Sequence, residues 1–315
     1  MEAFRLGRRE AAVESRKRRE RGGCEVFDSM RRSVLLILLA ATAVLAMPTP
    51  ALAVGSSEIA AVQVALWQRG LYHGDISGLM NQATVRGVKR VQRSAGLVVD
   101  GIVGPKTRPA LGKLGAPALG SRRLRRGRVG GDVVQLQYLL AEHGFPSARF
   151  DGVMGRHVVA ALRRFQRYAG LAVDGRCGQS TLAALAQSPP QAPTGLLSRP
   201  LQAPISSTFG PRLNRFHAGI DFAVASGASV HAAAAGSVVI AGPGGNFGLL
   251  VVVAHSNGLR SYYAHLSRVD VSVGQYVKRG AQLGLSGESG EARGPNLHFE
   301  LRLRGAAVDP LPALR

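Results

Sequence analysis

Two stretches of the chain match at a constant offset of 74 residues, and this repetition limits the fold more than any other feature. Gly70 pairs with Gly144, Gln92 with Gln166, Gly96-Leu97 with Gly170-Leu171, and Asp100-Gly101 with Asp174-Gly175. Gly104 then pairs with Gly178, Thr107 with Thr181 and Leu111 with Leu185. So many coincidences at one spacing mean an internal duplication. Each unit has a helical grammar. In the second, Val158, Ala161, Leu162 and Phe165 recur on one helix face, and Gly170 offers a stop. A preceding helix is expected over 131–143, with Leu136, Leu139 and Leu140 inward. A third is expected near Ser180, a good N-cap, carrying Leu182 and Leu185. Three short helices joined by glycine turns make a bundle of about 60 residues, near the lower limit for independent stability.

From about residue 204 the pattern changes. "GSVVIAG", "GLLVVVAH", "LRSYYAHL" and "NLHFELRL" are short β-rich runs separated by glycine turns. The expected fold is therefore multidomain: two all-α three-helix bundles followed by a predominantly antiparallel β domain. The expected boundaries are 54–115 for the first repeat, 116–126 for an Arg/Gly linker, and 127–187 for the second repeat. A Pro-rich linker over 188–203 then leads to the β domain, 204–315.

The start of the chain carries an export pattern. Met30 is followed by two arginines, an apolar run of 13 residues from Val34 to Ala46, and "ALA" at 51–53. This is a basic, apolar, small-x-small sequence that predicts a signal peptide ending before Val54. The run is shorter than the roughly 20 residues of a membrane span, so no stable transmembrane anchor is expected. Residues 1–29 are highly charged and fit no export signal, which places the expected true start at Met30. The net charge of +21 falls to about +17 once residues 1–53, with ten basic and six acidic side chains, are removed. A basic exported chain suits anionic cell-wall polymers and argues against nucleic acid as the main partner. Of the two cysteines only Cys177 would remain, so no internal disulfide is available, and its glycine-rich setting reads as structural.

The β region embeds His217 and Asp221 in "FHAGID", His265 in "YYAHL" and His298 in "LHFEL". Two histidines and a carboxylate are a suitable set for a hydrolytic zinc. Four residues of extended strand would put His217 and Asp221 about 13 Å apart, so a bend is needed, and Gly219 is the place for it. Asn296 and His298 share a strand face.

Two resemblances follow from these residues. "FDGVMGRHVVAALRRFQRYAGLAVDGRCGQSTLAAL" resembles the peptidoglycan-binding domain 1 family, which implies cell-wall binding; a plain spacer is the other reading. The first copy is more worn, with Ser77 in the place of Asp151 and Asn81 in the place of Gly155. "STFGPRLNRFHAGIDF", "YYAHLS" and "GPNLHFELR" together resemble the M23 peptidases, lysostaphin-like or LytM-like zinc endopeptidases of peptidoglycan. That resemblance implies that His217, Asp221 and His298 hold one zinc ion and that His265 is a catalytic histidine. Arg212 matches the family's G-x-R element, with a salt bridge as the alternative. Glu300 reads as a solvent-facing carboxylate or as a group orienting a ligand. His73, His143 and His157 are expected to face solvent, and His231 and His255 to be strand-end residues.

One departure bears on mechanism. Most active members of the family have H-x-H where this chain has Asn296-Leu297-His298. An amide cannot relay a proton near neutral pH as imidazole can, but it can hold a water. The expected function is thus a secreted zinc-dependent endopeptidase of the cell wall or extracellular envelope. It would cleave peptide stems or cross-links of peptidoglycan, with His265 and Asn296 as catalytic groups. The alternative is a catalytically impaired wall-binding regulator or activator of another hydrolase.

Overall fold

In a computed structural model the described residues are 55–315, so the expected signal peptide lies outside them. Six helices come first: α1 Ser57–Trp67, α2 Gln82–Ser94, α3 Thr107–Ala110, α4 Gly131–Glu142, α5 Arg156–Tyr168 and α6 Gln179–Leu185. The duplication shows in the structure, where α2 and α5 are both 13 residues long and start at equivalent positions, while α3 has four residues against seven in α6. Helix α6 starts one residue before the expected cap, with Gly178 at the N-cap position.

A buried glutamine organises each unit. Gln166 accepts from the Gly175 N–H at 2.9 Å and donates to Asp174 Oδ1 at 2.8 Å and to the Arg176 carbonyl at 3.0 Å. Gln92 repeats this with Gly101, Asp100 and Ile102. Such a side chain satisfies the backbone of the D-G turn that no helix or strand would satisfy. Gly101 and Gly175 sit at φ +82° and +70°, which explains why the turn keeps glycine. The worn positions of the first copy still fit the fold. Asn81 caps α2 through the Thr84 N–H at 2.9 Å, and Ser77 Oγ accepts from Gln63 at 3.4 Å where Asp151 accepts from Gln137 at 2.8 Å.

The two units share one apolar cluster. Ala60, Val64 and Leu66 of α1 and Val88 and Val91 of α2 pack with Val134, Tyr138 and Ala141 of α4 and with Phe150. Tyr138 also donates across the junction to the Ser77 carbonyl at 2.9 Å. Residues 116–126 follow the surface of the second unit. Leu124 is buried and bridges Cys177, and Arg122 pairs with Asp132 at 2.6 Å. Burial pushes the Cys177 thiol up to about 12, as suits a small core residue. His143 does not face solvent as expected. It caps α4, buried, with its ring between the carbonyls of Leu139 and Gln187 at 2.9 and 3.2 Å.

Twelve strands follow: β1 Ile205–Ser207, β2 Gly210–Arg212, β3 Arg215–His217, β4 Ile220–Ala223, β5 Ser229–His231, β6 Gly236–Pro243, β7 Leu249–Ala254, β8 Leu259–Val269, β9 Tyr276–Val277, β10 Gln282–Ser286, β11 Asn296–Leu303 and β12 Ala306–Val308. One antiparallel sheet runs β1-β4-β11-β8-β7-β6-β9, with β10 on β5 and β8 and with β12 on β11. Strands β2 and β3 form a separate hairpin. Ile220, Phe222, Val251, Val253, Tyr263, Leu297, Phe299 and Leu301 fill the core on one sheet face. Leu197 and Leu201, from the proline-rich stretch, join them. Among the described residues no helix is long and apolar enough to cross a membrane.

Gln166→Ala would leave the Gly175 N–H and Arg176 carbonyl without their partner at a site where the glutamine is 1 % exposed. A loss of roughly 2–4 kcal/mol is expected, read as a lowered urea midpoint with far-UV signal unchanged in native buffer.

Candidate metal centre and its groove

Register brings the ligand candidates together. Strand β4 pairs antiparallel with β11 so that Asp221 lies opposite His298, and β11 pairs on its other side with β8, where Ala264 faces His298. His217 closes the hairpin β2–β3 immediately before β4. The bend between His217 and Asp221 does fall at Gly219. There a Cβ would strike the Phe299 carbonyl and the His298 ring, so the glycine is fixed by close approach.

The three side chains form a tight triangle. His298 Nδ1 is 2.8 Å from Asp221 Oδ1, His217 Nε2 is 3.1 Å from the same oxygen, and the two ring nitrogens are 3.1 Å apart. Ligand atoms on a tetrahedral zinc with bonds near 2.0–2.1 Å would be roughly 3.3 Å apart, so this set fits one small divalent ion after a slight opening. No other grouping of this kind was found among the described residues.

The outer contacts fix which nitrogen points inward. A carbonyl can only accept, so His217 Nδ1 donates to the Thr208 carbonyl at 2.8 Å and leaves Nε2 as the inward lone pair. His298 Nε2 meets Glu300 Oε1 at 3.2 Å, which leaves Nδ1 facing the triangle. Glu300 is 3 % exposed, so the solvent-facing reading of it is corrected. Arg302 holds its second oxygen, with Nε at 2.7 Å, and stacks 4.4 Å over the Tyr262 ring. Burial opposes the charge on His298, but hydrogen bonds to the Asp221 and Glu300 carboxylates raise its pKa to about 9. Burial likewise opposes ionisation of Asp221, yet the facing His217 and His298 rings hold its carboxyl below the usual range. An ionised carboxylate set between two ring nitrogens that can each turn a lone pair inward is a donor set that suits a metal.

His265 and Asn296 lie beside this triangle. His265 adopts φ +62°, a left-handed backbone for a non-glycine residue, where the register of β8 on β7 shifts. Its Nδ1 donates to the Ser289 carbonyl at 2.7 Å, which frees Nε2, and its ring centroid is 5.8 Å from that of His298. Burial lowers its pKa, which favours neutral imidazole. Asn296 Nδ2 donates to the Gly294 carbonyl at 3.2 Å, while its buried Oδ1 has no hydrogen-bond partner among the described residues. Arg212 does form a salt bridge, with Nη1 3.4 Å from Asp221 Oδ2. His231 ends β5 and His255 follows β7, away from the triangle. All the site candidates border one groove of about 490 Å³. Trp67 and Arg149, from the helical repeats, line the same groove, and nothing in the sequence pattern marked them.

Comparisons with known proteins agree with this division. Residues 215–310 match peptidase family M23, and residues 55–111 and 129–185 each match a peptidoglycan binding domain family. The DD-carboxypeptidase/endopeptidase Mpg of Neisseria meningitidis is 39% identical over 113 residues, covering 34% of this chain and 26% of that protein. The murein hydrolase activator EnvC of Escherichia coli is 32% identical over 214 residues, covering 62% of this chain and 51% of that protein. A zinc containing peptidase from Vibrio cholerae, known from its crystal structure, is 32% identical over 38% of this chain and 40% of its own, with a TM-score of 0.36. The chain thus spans between a quarter and a half of these curated relatives.

Glu300→Gln removes the charge that orients His298 without changing its volume. Affinity for a divalent ion should fall by about 10–100-fold, measured by competition against a chromophoric chelator.

Proposed function

We propose that this chain, which carries a peptidase family M23 domain behind two peptidoglycan binding domain repeats, is a zinc-dependent endopeptidase that cleaves the peptide part of peptidoglycan in the cell envelope. The observation that carries this reading is the triangle of His217, Asp221 and His298, with each ring turned inward by its own outer partner. Zinc bound there would supply Lewis acidity toward a carbonyl and toward water. The remaining work falls to the chain. His265, neutral and with the Nε2 lone pair free, can take a proton from the attacking oxygen, and once protonated there it can donate to the tetrahedral oxyanion or return the proton to the leaving group. Asn296 offers an unpaired Oδ1 that can accept a hydrogen bond from the attacking water. Thr208 and Glu300 keep the two ligand rings in the tautomers the site requires.

A second reading has its own support. Asn296 cannot replace the acid–base work of an imidazole, and the likeness to EnvC extends over more of this chain than the likeness to Mpg. On that reading the domain binds wall peptide and acts on another hydrolase. The complete ligand set weighs toward the enzyme.

Attachment to anionic wall polymers would use the second repeat. Arg125, Arg126, Arg156, Arg163 and Arg176 line one concavity of about 460 Å³ beside Asp174. At the equivalent places the first repeat has Gln82 for Arg156 and Ile102 for Arg176. Modules fixed to an insoluble polymer raise the local concentration of a site tethered to them.

Purified protein should contain one zinc per chain and release peptide fragments from isolated walls, with release lost on chelation and restored by zinc. His265→Ala should slow release by about 10²-fold or more, and Asn296→His should speed it at least tenfold. Zinc-loaded wild type that releases nothing, beside an active Asn296→His, would replace the enzyme by the regulator.

A further inference from the structure

The hairpin that carries His217 is held by both helical repeats. At its turn, the Leu213 N–H donates to Asp75 Oδ1 at 2.7 Å and the Leu213 carbonyl accepts from the Ile76 N–H at 2.9 Å. The Asn214 carbonyl accepts from the Phe150 N–H at 2.9 Å, and Arg149 and Arg215 form an antiparallel bridge. Phe216, next to His217, packs on the apolar cluster shared by the two repeats and meets Phe209 edge-on at 5.0 Å. These contacts bring Trp67 of α1 and Arg149 of the second repeat to the same groove as His217, His265 and His298.

The groove is also unbalanced in charge. Its lining holds Arg149, Arg212, Arg215 and Arg293 against Asp221 and Glu291. Arg212 is engaged with Asp221, whereas Arg149, Arg215 and Arg293 form no ion pair among the described residues. Guanidinium groups left over a concave site are suited to bidentate recognition of a carboxylate. Trp67 is the chain's single tryptophan and is only half buried, so its indole offers an apolar face at the same place.

We infer that the repeats build a wall of the substrate site, in which Arg149 grips a free carboxylate of an acidic peptide and Trp67 packs on the peptide's aliphatic part. This rests on the reading of the groove as a peptide site, and it makes the repeats specificity elements of that groove in addition to anchors. The alternative is a brace that holds the hairpin and touches no peptide.

The test measures binding by calorimetry, on the zinc-loaded full chain carrying His265→Ala to slow turnover during the titration. The probe is a soluble acidic muropeptide stem, compared with the same stem after its carboxylates are amidated. The free acid should bind at least tenfold more tightly than the amide. Adding Arg149→Gln should abolish that preference, Trp67→Ala should weaken both ligands about equally, by about tenfold or more through lost apolar contact, and Arg90→Gln, the same charge removed from an exposed turn of α2, should change neither. Arg149→Lys should recover part of the preference. An acid–amide preference that survives Arg149→Gln, or falls equally with Arg90→Gln, overturns the inference. Should wild type release no wall fragments while the preference for the acid persists and depends on Arg149, the catalytic reading fails and the peptide wall stands. Absence of binding by either peptide to the parent chain overturns both.

Discussion

One cross-strand pair, Asp221 opposite His298, decides most of what this molecule can do. Antiparallel register fixes the two side chains on the same face of neighbouring strands, and a slip of one residue would send each to the other face. Around that pair the chain adds only short reaches. Gly219 lets the preceding hairpin come close enough for His217 to join, and Glu300, two residues along β11, turns the His298 ring. Strand geometry thus sets the spacing of the triangle, and hydrogen bonds behind the rings set which nitrogens face into it.

Charge is arranged outward from the same point. Asp221 faces two imidazoles and Arg212, while Glu300 faces His298 and is clamped by Arg302. Burying these groups would be unfavourable if any one lacked its partner, and each has one. His265 stands apart, bonded to a backbone carbonyl and aimed by a left-handed residue rather than by a carboxylate. That separation leaves it outside the hydrogen bonds that tie Asp221, His217 and His298 together.

Much of this was legible in the chain itself. The 74-residue offset foretold matching helices, and the glycine-bounded β runs foretold an antiparallel domain. The Q and D-G elements of each repeat proved to be partners in one hydrogen-bonded turn. Two misreadings have physical causes. His143 looked exposed because helical periodicity says nothing about a cap, where a ring can fold onto its own carbonyls. Glu300 looked exposed because alternation along "NLHFELRL" gives the face but not what covers it; Arg302 and Tyr262 cover it. Trp67 and Arg149 carried no local signal at all, because their place in the groove depends on how the repeats pack against the β2–β3 hairpin.

That packing has a bearing on the order in which the molecule is made. A chain emerges from its N-terminus, and early modules generally fold before later ones appear. Asp75, Ile76 and Phe150 are therefore in position, as a ready mould, when the turn at Leu213 and Asn214 arrives to be cast against it. A nascent β domain deprived of that mould would have to shape its histidine-bearing hairpin unaided.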